Sequence, residues 1–207
     1  MHTTHTPLTF AEHTLHIVEF DPDSFHEHDL LWLPHHSQLL SNGRKRKAEH
    51  LAGRIAAVHA LREYGIKTVP GIGVQRQPLW PQKLFGSISH SGTIALAAVS
   101  SHPVGLDIEA IFTRQMAGEL VSSIVTNTEK EWLANSGLPL EQALTLAFSA
   151  KESAFKATQA SQQANAGFTQ YQIVELQHNQ MILRAHSQTY RVQWRFSGND
   201  VITLATV

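Results

Sequence analysis

Val104-Gly105-Leu106-Asp107-Ile108-Glu109 ends in strict alternation of apolar and acidic residues, over a stretch too short for a helix. Alternation of this kind marks a β-strand, in which residues two apart point to the same face. Asp107 and Glu109 therefore share one face, while Leu106 and Ile108 turn to the core. Just upstream, Ile94-Ala95-Leu96-Ala97-Ala98-Val99 is a short apolar run bounded by turn residues, and it is expected to be a buried strand. With Ser100-Ser101-His102-Pro103 as the turn, Val104 to Glu109 is expected to return antiparallel beside that strand as a hairpin.

Helices flank this pair. Leu51, Ile55, Val58 and Leu61 recur at helical spacing, which predicts a helix from Arg44 to Tyr64, with Ser41-Asn42 as its start signal and Gly65 as its stop. Pro70, Gly71, Gly73, Pro78 and Pro81 then break the chain into a loop-rich stretch able to shape a pocket. Thr128-Glu129-Lys130-Glu131 matches a capping box and predicts a short helix through Leu133. Pro139 precedes a longer one, with Leu140, Leu144, Phe148 and Phe155 on one stripe. Beyond it, alternation clearest at Val192, Trp194 and Phe196 predicts three or four strands ending at Val207. The N-terminal third, containing Asp21-Pro22 and Leu33-Pro34, reads as irregular. Each half thus offers a main helix and a few antiparallel strands, an α+β arrangement without a residue-level repeat.

Composition sets the bounds. The chain has 207 residues, 42% hydrophobic and 16% charged, which suits a folded globular protein able to bury an ordinary core. It has no cysteine, so disulfides, thiolate metal sites and thiol nucleophiles are excluded. A formal net charge of −1 gives no global pull toward nucleic acid or anionic lipid, so a polyanion site must be local. Met1 to Phe10 lacks a basic start followed by an apolar core, and no long apolar run follows; a cytoplasmic protein with no membrane span is expected. The 14 histidines form no His-Glu-x-x-His pattern and read as solvated or structural.

Four stretches carry chemistry. Asp107 and Glu109 repel one another unless a cation neutralises them, and oxygen ligands favour Mg²⁺; a solvated acidic edge strand gives the same pattern. In Phe148-Ser149-Ala150-Lys151-Glu152-Ser153-Ala154-Phe155-Lys156, Glu152 and Lys156 are four apart on one helix face, and a plain surface ion pair is the alternative there. Ser87-Ile88-Ser89-His90-Ser91-Gly92 is a short polar turn whose hydroxyls, imidazole and backbone N–H groups can hold phosphate oxygens. It lacks the Gly-x-Ser-x-Gly form expected of a nucleophile. The cluster Arg44-Lys45-Arg46-Lys47 is followed by Arg54 on the same helix, about 80° around the axis from Arg46, within reach of one extended ligand. A solvated basic helix end or a nucleic-acid patch would also explain it, although no aromatics are interleaved.

In this order and spacing, the stretches resemble the phosphopantetheinyl transferase superfamily. Its signatures look like the Ser89-His90-Ser91 turn, the Gly105-x-Asp107-x-Glu109 strand and the Phe148 to Lys156 helix. Phe148 stands where that family often has Trp, and Ser153 where it often has Ala. The helix with Gly53-Arg54 and the segment Gln75-Arg76-Gln77-Pro78-Leu79-Trp80-Pro81 look closest to its enterobactin synthetase component D subgroup.

The resemblance implies a pseudodimer of two similar α+β halves, 1–103 and 104–207, with the active site between them. It implies that Asp107, Glu109 and Glu152 bind Mg²⁺, with the Ile108 carbonyl as an extra ligand. Arg46, Arg54, Arg76, Ser89 and His90 would hold the phosphates and nucleotide of coenzyme A, the co-substrate, and Lys151 and Lys156 would line the phosphate channel. The implied reaction moves the 4′-phosphopantetheine arm of coenzyme A to a serine of a carrier protein or carrier domain. Glu152 is the expected general base, with Glu129 as the other choice. The region between Phe112 and Val125 is expected to be an exposed link used in carrier docking, and the protein a monomer. A metal-dependent pyrophosphohydrolase and a non-catalytic coenzyme A binder are the competing readings, separable by whether phosphopantetheine mass appears on the carrier.

Overall fold

The computed structural model describes residues 1–163 and 167–207. Two compact units divide the chain, Met1–Ser101 and His102–Val207, and each has an antiparallel sheet with one main helix packed on it.

In the first unit, β1 (Thr3–Phe10) and β2 (His13–Phe20) form a hairpin in place of the expected irregular start. The turn residues Ala11 and Glu12 have φ of 51° and 62°, the left-handed pair that a two-residue hairpin turn requires. Neither is the Asn or Gly that would announce such a turn. Short 3₁₀ turns at Pro22–Ser24, Glu27–Trp32 and His36–Leu39 lead to α1 (Arg44–Arg62). Its buried Leu51, Val58 and Leu61 lie among Ala48, Ala52, Ala56 and Ala57, whose small side chains let the helix approach the sheet closely. Each fully buried Leu contributes about 1.5–3 kcal/mol. The chain leaves the helix by way of Gly65, at φ +71°, as the sequence predicts.

A small ribbon of β3 (Gly71–Ile72) and β4 (Pro78–Leu79) follows, then β5 (Phe85–Ser91) and β6 (Ile94–Ser100). The main sheet has the order β1-β2-β6-β5. Ser87 to Ser91 is thus a strand rather than the expected turn, and Gly92, at φ +57°, makes the turn instead.

The second unit opens with β7 (Val104–Ala110) and continues through α2 (Arg114–Ile124), α3 (Asn127–Ala134), α4 (Leu140–Ala157) and the short α5 (Ala160–Gln163). It closes with β8 (Gln172–Leu176), β9 (Gln180–Ala185), β10 (Gln188–Ser197) and β11 (Asp200–Thr206). The sheet order is β7-β11-β10-β9-β8. The expected β6–β7 hairpin does not form. Both sides of β6 are already paired, with β2 and β5, so β7 finds its partner in the last strand of the chain.

Phe112 to Val125, expected as an exposed link, is mostly exposed and largely helical, begun by Thr113, whose hydroxyl accepts from Met116 N–H. The capping box of α3 uses Thr126 with Glu129, two residues before the expected start. The core lies between α4 and the sheet, with Leu144, Ala147, Ala150 and Ala154 facing Met181, Leu183, Val192 and Val201.

Candidate functional site

The site of the second unit begins at Gly105. A Cβ there would lie 1.8 Å from Ser153 O and 2.7 Å from Ala157 N, so only glycine lets β7 approach α4 this closely. Alternation then sends Asp107 and Glu109 toward the same helix as Gly105. Asp107 is only 3% exposed, which rules out the solvated acidic edge. Ser149 on α4 donates to Asp107 Oδ2 at 2.8 Å, and Lys156, two turns further along, donates to Asp107 Oδ1 at 2.7 Å and to Leu106 O at 3.1 Å. Lys156 is therefore engaged with the β7 carboxylate rather than in a plain surface pair with Glu152.

Electrostatics tie Glu109 and Glu152 to this group. Burial first, then repulsion from Asp107, Glu152 and Asp200, push the Glu109 carboxyl up to about 7 against the pull of Lys156. Burial likewise raises Glu152, with Asp107 adding to the rise and Lys156 opposing it. Ile108 is buried, its side chain on the opposite face of the strand. Among the described residues, no group of three or more His, Cys, Asp or Glu side chains stands arranged to hold a metal ion. The donor chemistry nevertheless suits one: Asp107, Glu109 and Glu152 offer only oxygen, and the ammonium of Lys156 does not by itself balance three carboxylates.

Lys151 and Glu129 stand apart from this group, contrary to expectation. Lys151 is 0% exposed, and its Nζ donates to Ile124 O at 2.9 Å and to Glu129 Oε2 at 3.0 Å. A side chain so enclosed lines no channel. Glu129 also accepts from Thr126 N–H at 2.7 Å and Ile173 N–H at 2.8 Å. Its lone pairs are committed to holding α3 against α4 and β8, which suits a structural anchor and not a general base.

The motif's two unusual residues are accommodated by packing. Phe148 packs against Phe112 and Phe168 in tilted pairs, at 5.6 Å and 5.0 Å between ring centroids, and the buried Ser153 hydroxyl donates to Ala150 O.

In the first unit, Arg46, Arg54, Arg76, His50, His90 and Glu49 line a cavity of about 450 Å³. Ser89 is buried on β5, next to His90. Arg54 donates from Nε to Pro70 O at 2.7 Å and from Nη2 to Gly71 O at 3.0 Å, which secures the root of the β3–β4 ribbon that carries Arg76. Burial lowers the Arg54 guanidinium to about 10, still charged at neutral pH. His50 shares a 2.8 Å hydrogen bond with His35, and burial, followed by Arg54, His35 and His90, lowers it to about 3. It is thus a neutral imidazole.

Glu49 and His50 carry no signal in the sequence as members of this cavity, nor does His35 as the partner of His50. Ser149 sits inside a recognised stretch, but its bond to Asp107 becomes visible only when β7 and α4 are brought together.

This chain is similar to known proteins. The model of the 4′-phosphopantetheinyl transferase N-terminal domain matches residues 35–100, and that of the 4′-phosphopantetheinyl transferase superfamily matches residues 103–205. Enterobactin synthase component D of Escherichia coli is 59% identical over 204 residues, covering 99% of this chain and 98% of that one. Its counterpart in Salmonella typhi is 54% identical over 214 residues, covering 100% and 91%. The 4′-phosphopantetheinyl transferase Npt of Nocardia iowensis is 32% identical over 120 residues, covering 55% and 52%. With both family models matched in chain order and whole-length relatives of this identity, the chain belongs to the 4′-phosphopantetheinyl transferase superfamily.

Proposed function

We propose that this transferase moves the 4′-phosphopantetheine arm of coenzyme A to a serine of a carrier domain of a nonribosomal peptide synthetase, in the assembly of the siderophore enterobactin. The names of the Escherichia and Salmonella relatives support the pathway, and family membership favours transfer over hydrolysis or silent binding. The observation behind the chemistry is the coupling of Asp107, Glu109 and Glu152 around the ammonium of Lys156.

In this reading Asp107, Glu109 and Glu152 hold Mg²⁺, with the Ile108 carbonyl as a further ligand. When bound, the ion supplies positive charge to the diphosphate of coenzyme A. Arg46, Arg54, Arg76, Ser89 and His90 hold the phosphates and nucleotide, so the half 1–103 serves substrate binding and the half 104–207 the chemistry. The carrier serine oxygen attacks the β-phosphorus, the bond to the bridging oxygen breaks, and 3′,5′-adenosine bisphosphate departs. Glu152 takes the serine proton. Lys156 keeps Asp107 oriented and places positive charge beside the reacting group.

No helix among the described residues is long and apolar enough to cross a membrane, and the absence of cysteine suits the reducing cytoplasm where carrier domains work as partners. Incubation with coenzyme A, Mg²⁺ and an apo carrier domain tests the proposal by mass spectrometry. A gain of one phosphopantetheine mass on the carrier serine supports it; free phosphopantetheine with an unmodified carrier contradicts it.

A further inference from the structure

Thr203 stands directly opposite Asp107 in the β7–β11 register, so both side chains project toward α4 and meet it at Ser149. Ser149 and Thr203 are each 0% exposed. The Thr203 hydroxyl donates to Ser149 O at 2.9 Å and lies 2.9 Å from Ser149 Oγ. The proton inventory gives this cluster a direction. Ser149 gives its one proton to Asp107 Oδ2, so the one Thr203 proton is shared between Ser149 O and Ser149 Oγ, which lie at equal distance from it. Lys156 donates to the other oxygen of the same carboxylate at 2.7 Å. With Ser149 donating to one oxygen and Lys156 to the other, the plane of the Asp107 carboxylate is held.

We propose that Ser149 and Thr203 are positioning residues that orient Asp107 for divalent-cation binding. This rests on the reading of Asp107, Glu109 and Glu152 as cation ligands. Ligating carboxylates that are themselves hydrogen-bonded lose about 10- to 100-fold in metal affinity when that support is removed. If the two hydroxyls served only to satisfy one another beneath α4, their removal would alter folding stability and leave cation affinity in place.

The test is Mn²⁺ binding, followed by electron paramagnetic resonance on the whole protein, beside thermal unfolding and metal-free coenzyme A binding. Ser149→Ala is expected to weaken Mn²⁺ binding about 10- to 100-fold without changing metal-free coenzyme A binding. Thr203→Val keeps the shape, loses the hydroxyl and is expected to weaken it by less. Thr203→Ser keeps the hydroxyl and is expected to bind as wild type does. This Thr203 pair decides the matter even if Ser149→Ala fails to fold. Asp107→Asn separates the two levels: Mn²⁺ affinity unchanged in that variant overturns the ligand reading and the inference with it. Loss in Asp107→Asn with wild-type affinity in Thr203→Val and in folded Ser149→Ala overturns the positioning role alone.

Discussion

Lys151 Nζ lies 2.8 Å from Glu129 Oε1, with the two side chains 0% and 2% exposed. A buried ion pair of this kind is costly to break, because the remaining partner keeps its charge without compensation. Lys151→Met and Glu129→Gln are each expected to destabilise the fold by about 3–5 kcal/mol, and the double variant to recover much of the loss. Urea unfolding midpoints check this. Single variants as stable as wild type would remove the anchor role.

Gly105→Ala is expected to damage the fold and the reaction together. Its new Cβ would meet backbone, Ser153 O at 1.8 Å, and backbone cannot swing aside as a side chain can. Relief requires α4 to move off β7, which separates Ser149 and Lys156 from Asp107. A cost of about 1–3 kcal/mol or more follows from overpacking. Thermal unfolding and a carrier-loading assay read the two effects, and an unperturbed variant would contradict the close approach.

Arg54→Ala is expected to raise KM for coenzyme A more than it lowers kcat, as for a group that binds substrate and transition state alike. Arg54→Lys is not expected to restore it, since one ammonium does not reproduce the guanidinium fork on the Pro70 and Gly71 carbonyls. Steady-state kinetics decide. Normal KM in Arg54→Lys would show that charge alone suffices.

The raised Glu109 carboxyl predicts a pH dependence of stability. Its ordinary value is 4.5 and its folded value about 7, so between them the folded state keeps a proton that the unfolded chain has lost. Stability contributed by this group therefore falls as pH rises through that window, and the penalty is complete above it. Glu152 acts in the same direction. The difference in thermal midpoint between wild type and Glu109→Gln, followed from about pH 5 to about pH 8, isolates the effect; the variant is expected to gain relative to wild type as pH rises. Saturating Mg²⁺ is expected to shrink that gain. A difference independent of pH would contradict the shift.

Local signals carry much of this protein. The spacing of Leu51, Ile55, Val58 and Leu61 announces α1, Pro139 announces α4, and the alternation to Glu109 announces β7. The hairpin of β1 and β2 escapes because Ala11 and Glu12 adopt left-handed φ without the residue types that favour it. The partner of β7 escapes for a different reason: strand pairing is decided by which edges are open, and β11 lies at the far end of the chain. Site chemistry divides in the same way. Asp107, Glu152 and Lys156 stand out by local pattern, whereas the burial of Lys151 and the bonds of Ser149 and Thr203 depend on tertiary packing.

The most direct measurement compares coenzyme A binding with carrier-loading rate in wild type and Glu152→Gln. The amide keeps the size and one carbonyl oxygen, so calorimetry in Mg²⁺ is expected to show coenzyme A bound with modest weakening. It cannot accept the serine proton, and the loading rate is expected to fall by about 10²- to 10⁴-fold. Loss of binding and rate in equal proportion would contradict the account, because Glu152 would then be a ligand alone and the base would lie elsewhere.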